Sequence, residues 1–198
     1  MKITLTKLAS LVLVAGLFTA CSKDDTGTVT LTATTATNIA AEPTLSGNRY
    51  TFYSLENNQV VAATDSATTK WDIAFRSTNI ITNGGASGPG TGGAFVQKAA
   101  TFDTYKTIPA DSAFKVDAAT TFAITTGSGN GWYNYDFATN IISPIPGNIL
   151  VIRTASGKYA KVEILSYYKD APASPLATST ARYYTFRFVY QANGTKTF

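Results

Sequence analysis

The sequence predicts an all-β protein with a single, mostly antiparallel β domain. Only 14% of its 198 residues are charged, and 11 Tyr and 11 Phe make it rich in residues that favour strands. Apolar and polar residues alternate with a period of two in several short runs, which Gly, Pro and Asn separate at close intervals. No helical periodicity is sustained, so a helical fold is disfavoured.

The first 20 residues have the pattern of a lipoprotein signal peptide. Lys2 and Lys7 give a positive start, and the apolar run 8–18 is too short to span a bilayer. Small residues precede Cys21, the only cysteine, which is therefore the predicted lipidation site. The membrane contact is then expected through the lipid anchor alone. An ordinary signal peptide with an incidental cysteine is the alternative.

The predicted organisation is a signal peptide over 1–20, an acylated tether over 21–48 and a β domain over 49–198. The tether is rich in Thr and Ala and carries few large apolar side chains. The alternation over 29–34 could equally form a first edge strand. The β domain, of about 150 residues, is large enough to bury one core.

From residue 49 onward the chain has the pattern of successive strands with a short helical turn near 112–114. In the last strand, Tyr184, Phe186 and Phe188 share one face, which indicates an aromatic inner face. In the run 71–76, Trp71 is expected to share a face with Ile73 and Phe75. The predicted strands cover 50–55, 59–63, 71–76, 80–81, 94–98, 121–125, 149–153, 158–169 and 182–191.

A glycine-dense turn, 83–93, lies between two of these strands. It carries six glycines and Pro89, a composition that lets the backbone adopt positive φ or approach another surface closely. A phosphate-cradling loop would need a GxxxxGK[ST] pattern followed by a helix, and neither is present. The turn is therefore predicted to be a surface loop between strands.

Several motifs, in this order and spacing, resemble the HmuY family, surface lipoproteins of Bacteroidota of which some capture haem. The resemblance covers most of the chain from about residue 50 onward, and it implies a mostly antiparallel β fold that holds its ligand at one end, between loops. The motifs are WDIAFR (71–76), TNGG (82–85), GGAF (92–95), GNGWYNYD (129–136), PIPG (144–147), VIRTASGKYAKVEILSYYKDAP (151–172) and YYTFRFVYQANG (183–194).

The resemblance also implies a cellular place and a partner. Residues 22–25, SKDD, resemble the signal that sends lipoproteins of this group to the outer face of the outer membrane. The expected localisation is thus the outer membrane, lipid-anchored and facing the cell exterior. A TonB-dependent outer-membrane receptor is the expected partner for ligand transfer.

The composition disfavours catalysis, a metal site and nucleic-acid binding. The chain has no histidine, which excludes His-dependent hydrolase triads and His-ligated zinc. Its carboxylates are scattered singly, and the formal net charge of +4 falls further when Lys2 and Lys7 leave with the signal peptide. No basic run suggests nucleic acid. We therefore expect a binding module rather than an enzyme.

Aromatic side chains are the chemical resource that the sequence offers for a site. Trp132, Tyr133 and Tyr135 follow a glycine cluster at 127–131, and such side chains could form the wall of a pocket for a flat apolar ligand such as a porphyrin. The alternative is that they belong to the β core.

The resemblance implies that haem-binding members hold iron through two His or Met side chains. Asn140 aligns with one of these positions, and the second is expected within 101–126, where this chain has neither residue. The only methionine, Met1, leaves with the signal peptide. A Tyr phenolate or a Lys amine could substitute as the iron ligand.

Two functional hypotheses follow. The first is a surface lipoprotein that binds haem or a related porphyrin for haem and iron acquisition, without His or Met axial ligands. The alternative is a surface binding or adhesion lipoprotein of the same fold that recognises a glycan, a peptide or another apolar ligand.

Overall fold

A computed structural model of the chain describes residues 31–41 and 49–198, which contain eleven strands. The predicted signal peptide, Cys21 and much of the predicted tether lie outside the described residues. The strands are β1 (Thr34–Ala40), β2 (Thr51–Ser54), β3 (Gln59–Val61), β4 (Ile73–Arg76), β5 (Asn79–Thr82), β6 (Gly93–Gln97), β7 (Tyr133–Asp136), β8 (Ile141–Pro144), β9 (Ile149–Arg153), β10 (Tyr159–Tyr168) and β11 (Ala181–Gln191).

The helical content of the described residues is confined to two short 3-10 turns. They lie at Ala63–Asp65 and Asp111–Ala113, and the second confirms the turn predicted near 112–114. No described helix has the length and apolar character needed to cross a membrane.

The strands form three antiparallel sheets, which confirms the predicted fold class. A five-stranded sheet has the order β1-β11-β10-β9-β6, and a four-stranded sheet has the order β3-β2-β4-β5. The remaining pair, β7 and β8, forms a hairpin of its own. Five of the eight pairings between the described strands join strands that are consecutive in the chain.

The two larger sheets pack face to face around an aromatic core. Tyr53 of β2 contacts Phe186 of β11, with ring centroids 5.2 Å apart, and Phe75 of β4 contacts Tyr184 of β11 at 4.6 Å. The predicted inner face of β11 is confirmed, because Tyr184, Phe186 and Phe188 are all buried. Burial of such large rings is the main stabilising contribution that this core offers.

The outer face of the five-stranded sheet is also covered. Phe102, Ile108 and Phe114 pack over the outer face of the five-stranded sheet, around the buried Lys161 of β10. The Lys161 ammonium donates hydrogen bonds to the carbonyl oxygens of Phe102 (2.6 Å) and Tyr105 (2.8 Å). A buried lysine is tolerated here because main-chain carbonyls replace its water.

Trp71 lies on the opposite face from the one predicted. Strand β4 begins at Ile73, so the alternation of faces starts after Trp71 rather than at it. Ile73 and Phe75 face the core between the sheets, whereas Trp71 packs with Ala74 and Ile81 on the outer face of the four-stranded sheet.

The segment 121–125 is not a strand, contrary to the prediction, because a side chain holds it instead of a strand partner. The buried Asp117 carboxylate accepts hydrogen bonds from the N–H groups of Ala123 (2.7 Å) and Thr82 (2.8 Å). Asp117 thereby fixes this segment against the end of β5.

Strand β1 forms one edge of the five-stranded sheet and lies just after the alternating run 29–34. Its pairing with β11 shifts register between Ala36 and Ile39, where Asn38 has a φ of 56°. Asn38 closes this bulge by two hydrogen bonds with Asp170: its Nδ2 donates to Asp170 Oδ1 (2.8 Å), and its Oδ1 accepts from Asp170 N–H (2.7 Å).

The glycine-dense turn connects β5 to β6 and wraps around the buried side chain of Asn83. The Asn83 Nδ2 donates to the carbonyl oxygens of Thr68 (2.9 Å) and Trp71 (2.8 Å), and its Oδ1 accepts from Gly90 N–H (3.0 Å). A Cβ at Gly84 would lie 2.2 Å from the Gly92 carbonyl oxygen. The glycines therefore allow two backbone segments to touch, which agrees with a structural loop.

Alkaline pH is expected to destabilise the fold through its buried tyrosines. Burial raises the pKa of Tyr53 to about 12 and the pKa of Tyr184 well above its usual value of 10.0. Because the unfolded chain releases these protons first, the stability that the two tyrosines contribute is fully present below pH 10 and is lost as the pH rises towards 12. Denaturant midpoints at pH 9 and 11.5 test this, and a higher midpoint at pH 11.5 would contradict it.

Lys161 has the opposite effect on the pH dependence of stability, and this effect occurs at lower pH. Burial lowers the pKa of Lys161 from 10.5 to about 8, so the folded protein loses this proton before the unfolded chain does. Stability therefore rises with pH between about 8 and 10.5 for this group. The onset of alkaline unfolding is thus expected above pH 10 rather than below it.

Candidate ligand-binding site

The residues that the sequence places at a ligand site lie on one hairpin. Strands β7 and β8 pair from Tyr133 with Pro144 to Asp136 with Ile141. The turn between them, 137–140, ends at Asn140, whose φ of 58° lies in the left-handed region that asparagine tolerates. The sequence motif around Trp132 thus continues into a hairpin that alternation alone did not reveal.

The tip of this hairpin is aromatic and faces solvent. Phe137 is 83% exposed, and its ring packs edge-on against that of the half-buried Tyr135, with centroids 4.8 Å apart. The Tyr135 hydroxyl donates a hydrogen bond to Asn140 Oδ1 at 2.6 Å. The tip therefore presents one exposed and one half-buried aromatic ring to solvent.

Hydrogen bonds within the turn hold the tip in shape. The Asp136 carboxylate accepts from the Thr139 hydroxyl (2.7 Å) and from Ala138 N–H (2.9 Å). These bonds, that of Thr139 first, lower the pKa of Asp136 below its usual value because they favour the charged form. Tyr135 N–H donates to Ser128 Oγ at 2.8 Å, so the glycine cluster before the hairpin is tied to it.

Trp132 and Tyr133 form the base of the hairpin rather than its exposed surface. Trp132 is buried, and its Nε1 donates to the Thr78 carbonyl oxygen at 2.9 Å. Its ring contacts those of Tyr133 (4.9 Å) and Tyr184 (5.2 Å). Trp132 therefore joins the hairpin to the core, and of the sequence-predicted residues Tyr135 and Asn140 are the two that reach the tip.

A second anchor joins the hairpin to the long strand β10. Ile142 N–H of β8 donates to the Tyr168 hydroxyl at 2.9 Å. The chain that leaves β8 is fixed as well, because Asn148 Nδ2 donates to the Gly131 carbonyl oxygen at 2.7 Å. With both ends held, the tip is presented in a fixed orientation.

The tip suits the face of a porphyrin better than it suits an iron ion. Phe137 and Tyr135 provide apolar aromatic surface, and the Tyr135 phenol is the oxygen beside Asn140 that could approach iron. Asn140 Oδ1 already accepts a hydrogen bond from the Tyr135 hydroxyl, and an amide oxygen is a poor iron ligand. Among the described residues no group of three or more His, Cys, Asp or Glu could hold a metal ion.

An open cleft of about 610 Å³ lies away from these residues, over the outer face of the four-stranded sheet. Tyr50, Phe52 and Phe122 line it, together with part of the glycine-dense turn. Sequence reasoning did not identify it, since its walls come from segments that are far apart in the chain.

Solved structures with the same fold are known from Bacteroides. A candidate HmuY-like heme-binding protein of Bacteroides vulgatus is 19% identical, with a TM-score of 0.54 over 80% of this chain and 92% of its own. A candidate lipoprotein of Bacteroides fragilis is 18% identical, with a TM-score of 0.53 over 80% of this chain and 89% of its own. At these identities the likeness shows the fold. No curated protein shows significant similarity to the chain.

The family assignment rests on the sequence itself. The family model described as HmuY protein matches residues 46–189, a span that runs from just before β2 almost to the end of β11 and includes the hairpin. The motifs that carried the resemblance all begin within this span, and the fold is shared with a solved structure described as HmuY-like. The chain belongs to the HmuY family.

Proposed function

We propose that this protein is a surface-exposed lipoprotein that binds haem or a related porphyrin for haem and iron acquisition. The observation that carries the proposal is the solvent-facing aromatic tip of the β7–β8 hairpin, where Phe137 is 83% exposed beside Tyr135. Family membership supports it, since the fold-sharing protein of Bacteroides vulgatus is described as heme binding. The role is binding rather than catalysis.

The ligand is held without His or Met. The chain has no histidine, and its only methionine is Met1. Phe137 packs on one porphyrin face, and the phenol of Tyr135, whose ring stands nearly perpendicular to that of Phe137 and is oriented by Asn140, is the oxygen available to ferric iron. Trp132 contributes indirectly, because its hydrogen bond to the Thr78 carbonyl oxygen fixes the base of the hairpin in the core.

Haemin titration of the full-length protein in detergent tests this function. We expect a Soret band without the low-spin spectrum of bis-His or bis-Met ligation. The band should weaken on addition of dithionite, because a phenolate ligand favours ferric over ferrous iron. Tyr135→Phe removes the oxygen but keeps the ring, so it should lower affinity and change the spectrum. A low-spin complex that is equally tight in both redox states would contradict the proposal.

Asn140→His should strengthen haem binding and sharpen its spectrum. The substitution places an imidazole at the position that aligns with an axial ligand of the family, beside the phenol of Tyr135. The matched control is Asn134→His, which lies on β7 of the same hairpin and outside the turn 137–140. An unchanged spectrum for Asn140→His would show that the alignment is wrong.

The proposed anchoring rests on Cys21 and its preceding small residues. The fold-sharing protein of Bacteroides fragilis is described as a candidate lipoprotein, which supports a lipid anchor here. Cys21→Ala is expected to give an unprocessed or soluble form that takes up no radiolabelled palmitate, with Cys21→Ser as a second variant. Palmitate incorporation into either variant would contradict it. A TonB-dependent receptor is the partner proposed for ligand transfer.

The second candidate function is surface binding or adhesion without haem. The observation that favours it is the open cleft over the four-stranded sheet, whose lining includes none of the hairpin residues. Absence of haem binding in the haemin titration, together with binding of a glycan, a peptide or another apolar ligand at this cleft, would favour this second function.

A further inference from the structure

The cleft over the four-stranded sheet is part of a longer groove. A second depression of about 420 Å³ shares Tyr50, Phe52 and Ser66 with the cleft of about 610 Å³ and adds Arg49. We call the two together the outer groove. Each part has the volume of a small-ligand site. Because the two parts share Tyr50 and Phe52, a ligand that fills both must extend across these rings.

The rim formed by Ser66 is held by the buried Trp71. The Trp71 Nε1 donates to the Ser66 carbonyl oxygen at 2.9 Å. The Trp71 ring packs behind Phe52, with centroids 4.8 Å apart. One wall ring and one rim segment are thus fixed by the same side chain, which is fully buried.

The other rim of the groove, residues 85–89, also packs against Trp71. A Cβ at Gly88 would lie 2.9 Å from Trp71 Cζ2 and 2.2 Å from Asn83 Oδ1. The rim can approach Trp71 and Asn83 this closely only because Gly88 has no side chain. Asn83 also ties the rim to Thr68, two residues beyond Ser66. Both rims therefore hold their positions without a ligand, which reduces the entropic cost of binding.

The lining mixes aromatic rings with hydroxyl groups. Tyr50, Phe52 and Phe122 are half-buried, so each leaves part of a ring accessible. The Arg76 guanidinium lies 4.5 Å from the centroid of the Tyr50 ring and orients it. Ser66 and Ser87 also line the groove, so hydroxyl-bearing residues border these rings. Flat C–H faces bordered by hydroxyl groups, as in a sugar ring, match such a surface.

The charge of the groove selects among sugars. Among the described residues that line its two parts, Arg49 is the one charged side chain. The nearby carboxylate of Asp65, between the lining residues Thr64 and Ser66, is already paired with Lys70 at 3.0 Å. An acidic group on the ligand would therefore find a partner in Arg49. Main-chain recognition of an extended peptide needs a free strand edge, and the groove lies over a sheet face.

We propose that the outer groove binds a short acidic oligosaccharide, with sugar rings on Tyr50, Phe52 and Phe122 and an acidic group on Arg49. This site is separate from the hairpin and does not depend on haem. It gives the chain a second ligand class, recognised at the outer face of the four-stranded sheet.

Calorimetric titration with two matched probes tests the proposal on full-length protein in detergent. A galacturonic acid tetrasaccharide should bind, and a galactose tetrasaccharide should bind at least about tenfold more weakly because it lacks the acidic groups. Equal binding of the two, binding of neither, or binding of only an end-capped tetraglutamate peptide would overturn the proposal.

Three variants locate the site. Arg49→Gln changes an exposed residue, so folding is retained while affinity for the acidic probe should fall about tenfold. Phe122→Ala should reduce affinity for the same probe through loss of a ring, with the melting temperature measured alongside. Phe137→Ala, on the hairpin, should leave saccharide binding unchanged and weaken haem binding. Unchanged saccharide affinity in Arg49→Gln would overturn the assignment.

Discussion

Phe186→Ala is expected to lower the free energy of unfolding by about 3–5 kcal/mol, the usual range for removal of a buried phenylalanine. Phe186 is fully buried between the two sheets. Its ring contacts those of Tyr53 (5.2 Å), Phe75 (5.5 Å) and Phe188 (5.9 Å). These neighbours belong to three strands, so the core cannot close around the cavity without moving a sheet.

The matched control is Phe137→Ala, the same substitution at a position that is 83% exposed. It removes little buried surface and should change the free energy of unfolding by less than about 0.5 kcal/mol. Denaturant melts of the two variants against the wild type measure the difference. Similar midpoints for both variants would mean that the aromatic core between the sheets is described wrongly.

Asn83→Ala is expected to cost about 2–4 kcal/mol, because it leaves buried polar groups without partners. The lost hydrogen bonds are those to the carbonyl oxygens of Thr68 and Trp71 and that from Gly90 N–H. Asn83 is fully buried, so water cannot replace these bonds without opening the turn. The glycine-dense turn should then become accessible to protease.

Asn134→Ala is the matched control for Asn83→Ala. Asn134 is exposed on β7, so the same loss of an amide should be nearly neutral. Limited proteolysis and denaturant melts of both variants provide the measurements. If Asn83→Ala left both stability and cleavage of the turn unchanged, the turn would not depend on this side chain.

The long strands were predictable because each one carries its own signal. In β11, aromatic residues at every second position bury one face, and the strand forms wherever that face meets another apolar surface. Strand β9 carries a different signal, a continuous apolar run. Leu150 and Ile152 face the core between the sheets, whereas Ile149 and Val151 pack on the outer face, so both faces of β9 are buried.

The elements that escaped prediction depend on contacts distant in sequence. From the sequence, Trp132 could equally line a pocket or belong to the core. Its hydrogen bond to the Thr78 carbonyl oxygen, 54 positions earlier, holds it in the core. The segment 121–125 had the composition of a strand, but Ala123 N–H donates to Asp117, whose carboxylate also accepts from Thr82 N–H, 35 positions earlier. Such long-range hydrogen bonds leave no periodic trace in the sequence.

The candidate site was predictable only in part. Tyr135 and Asn140 were identified from their place in a family motif, and the structure joins them by a hydrogen bond. Phe137, the most exposed ring of the tip, was not singled out, because exposure is set by the turn that Asn140 closes. The outer groove could not be anticipated, since Tyr50 and Phe122 meet only after folding.

The bulge in β1 has a consequence for how copies of this protein meet. A regular edge strand presents a straight row of N–H and C=O groups to which another strand can add. At Asn38 that row is broken, because the bulge turns the backbone out of line and the clamp to Asp170 keeps it there. Crowded copies therefore find no continuous ladder to extend along this side, and the domain is protected there against strand-to-strand aggregation.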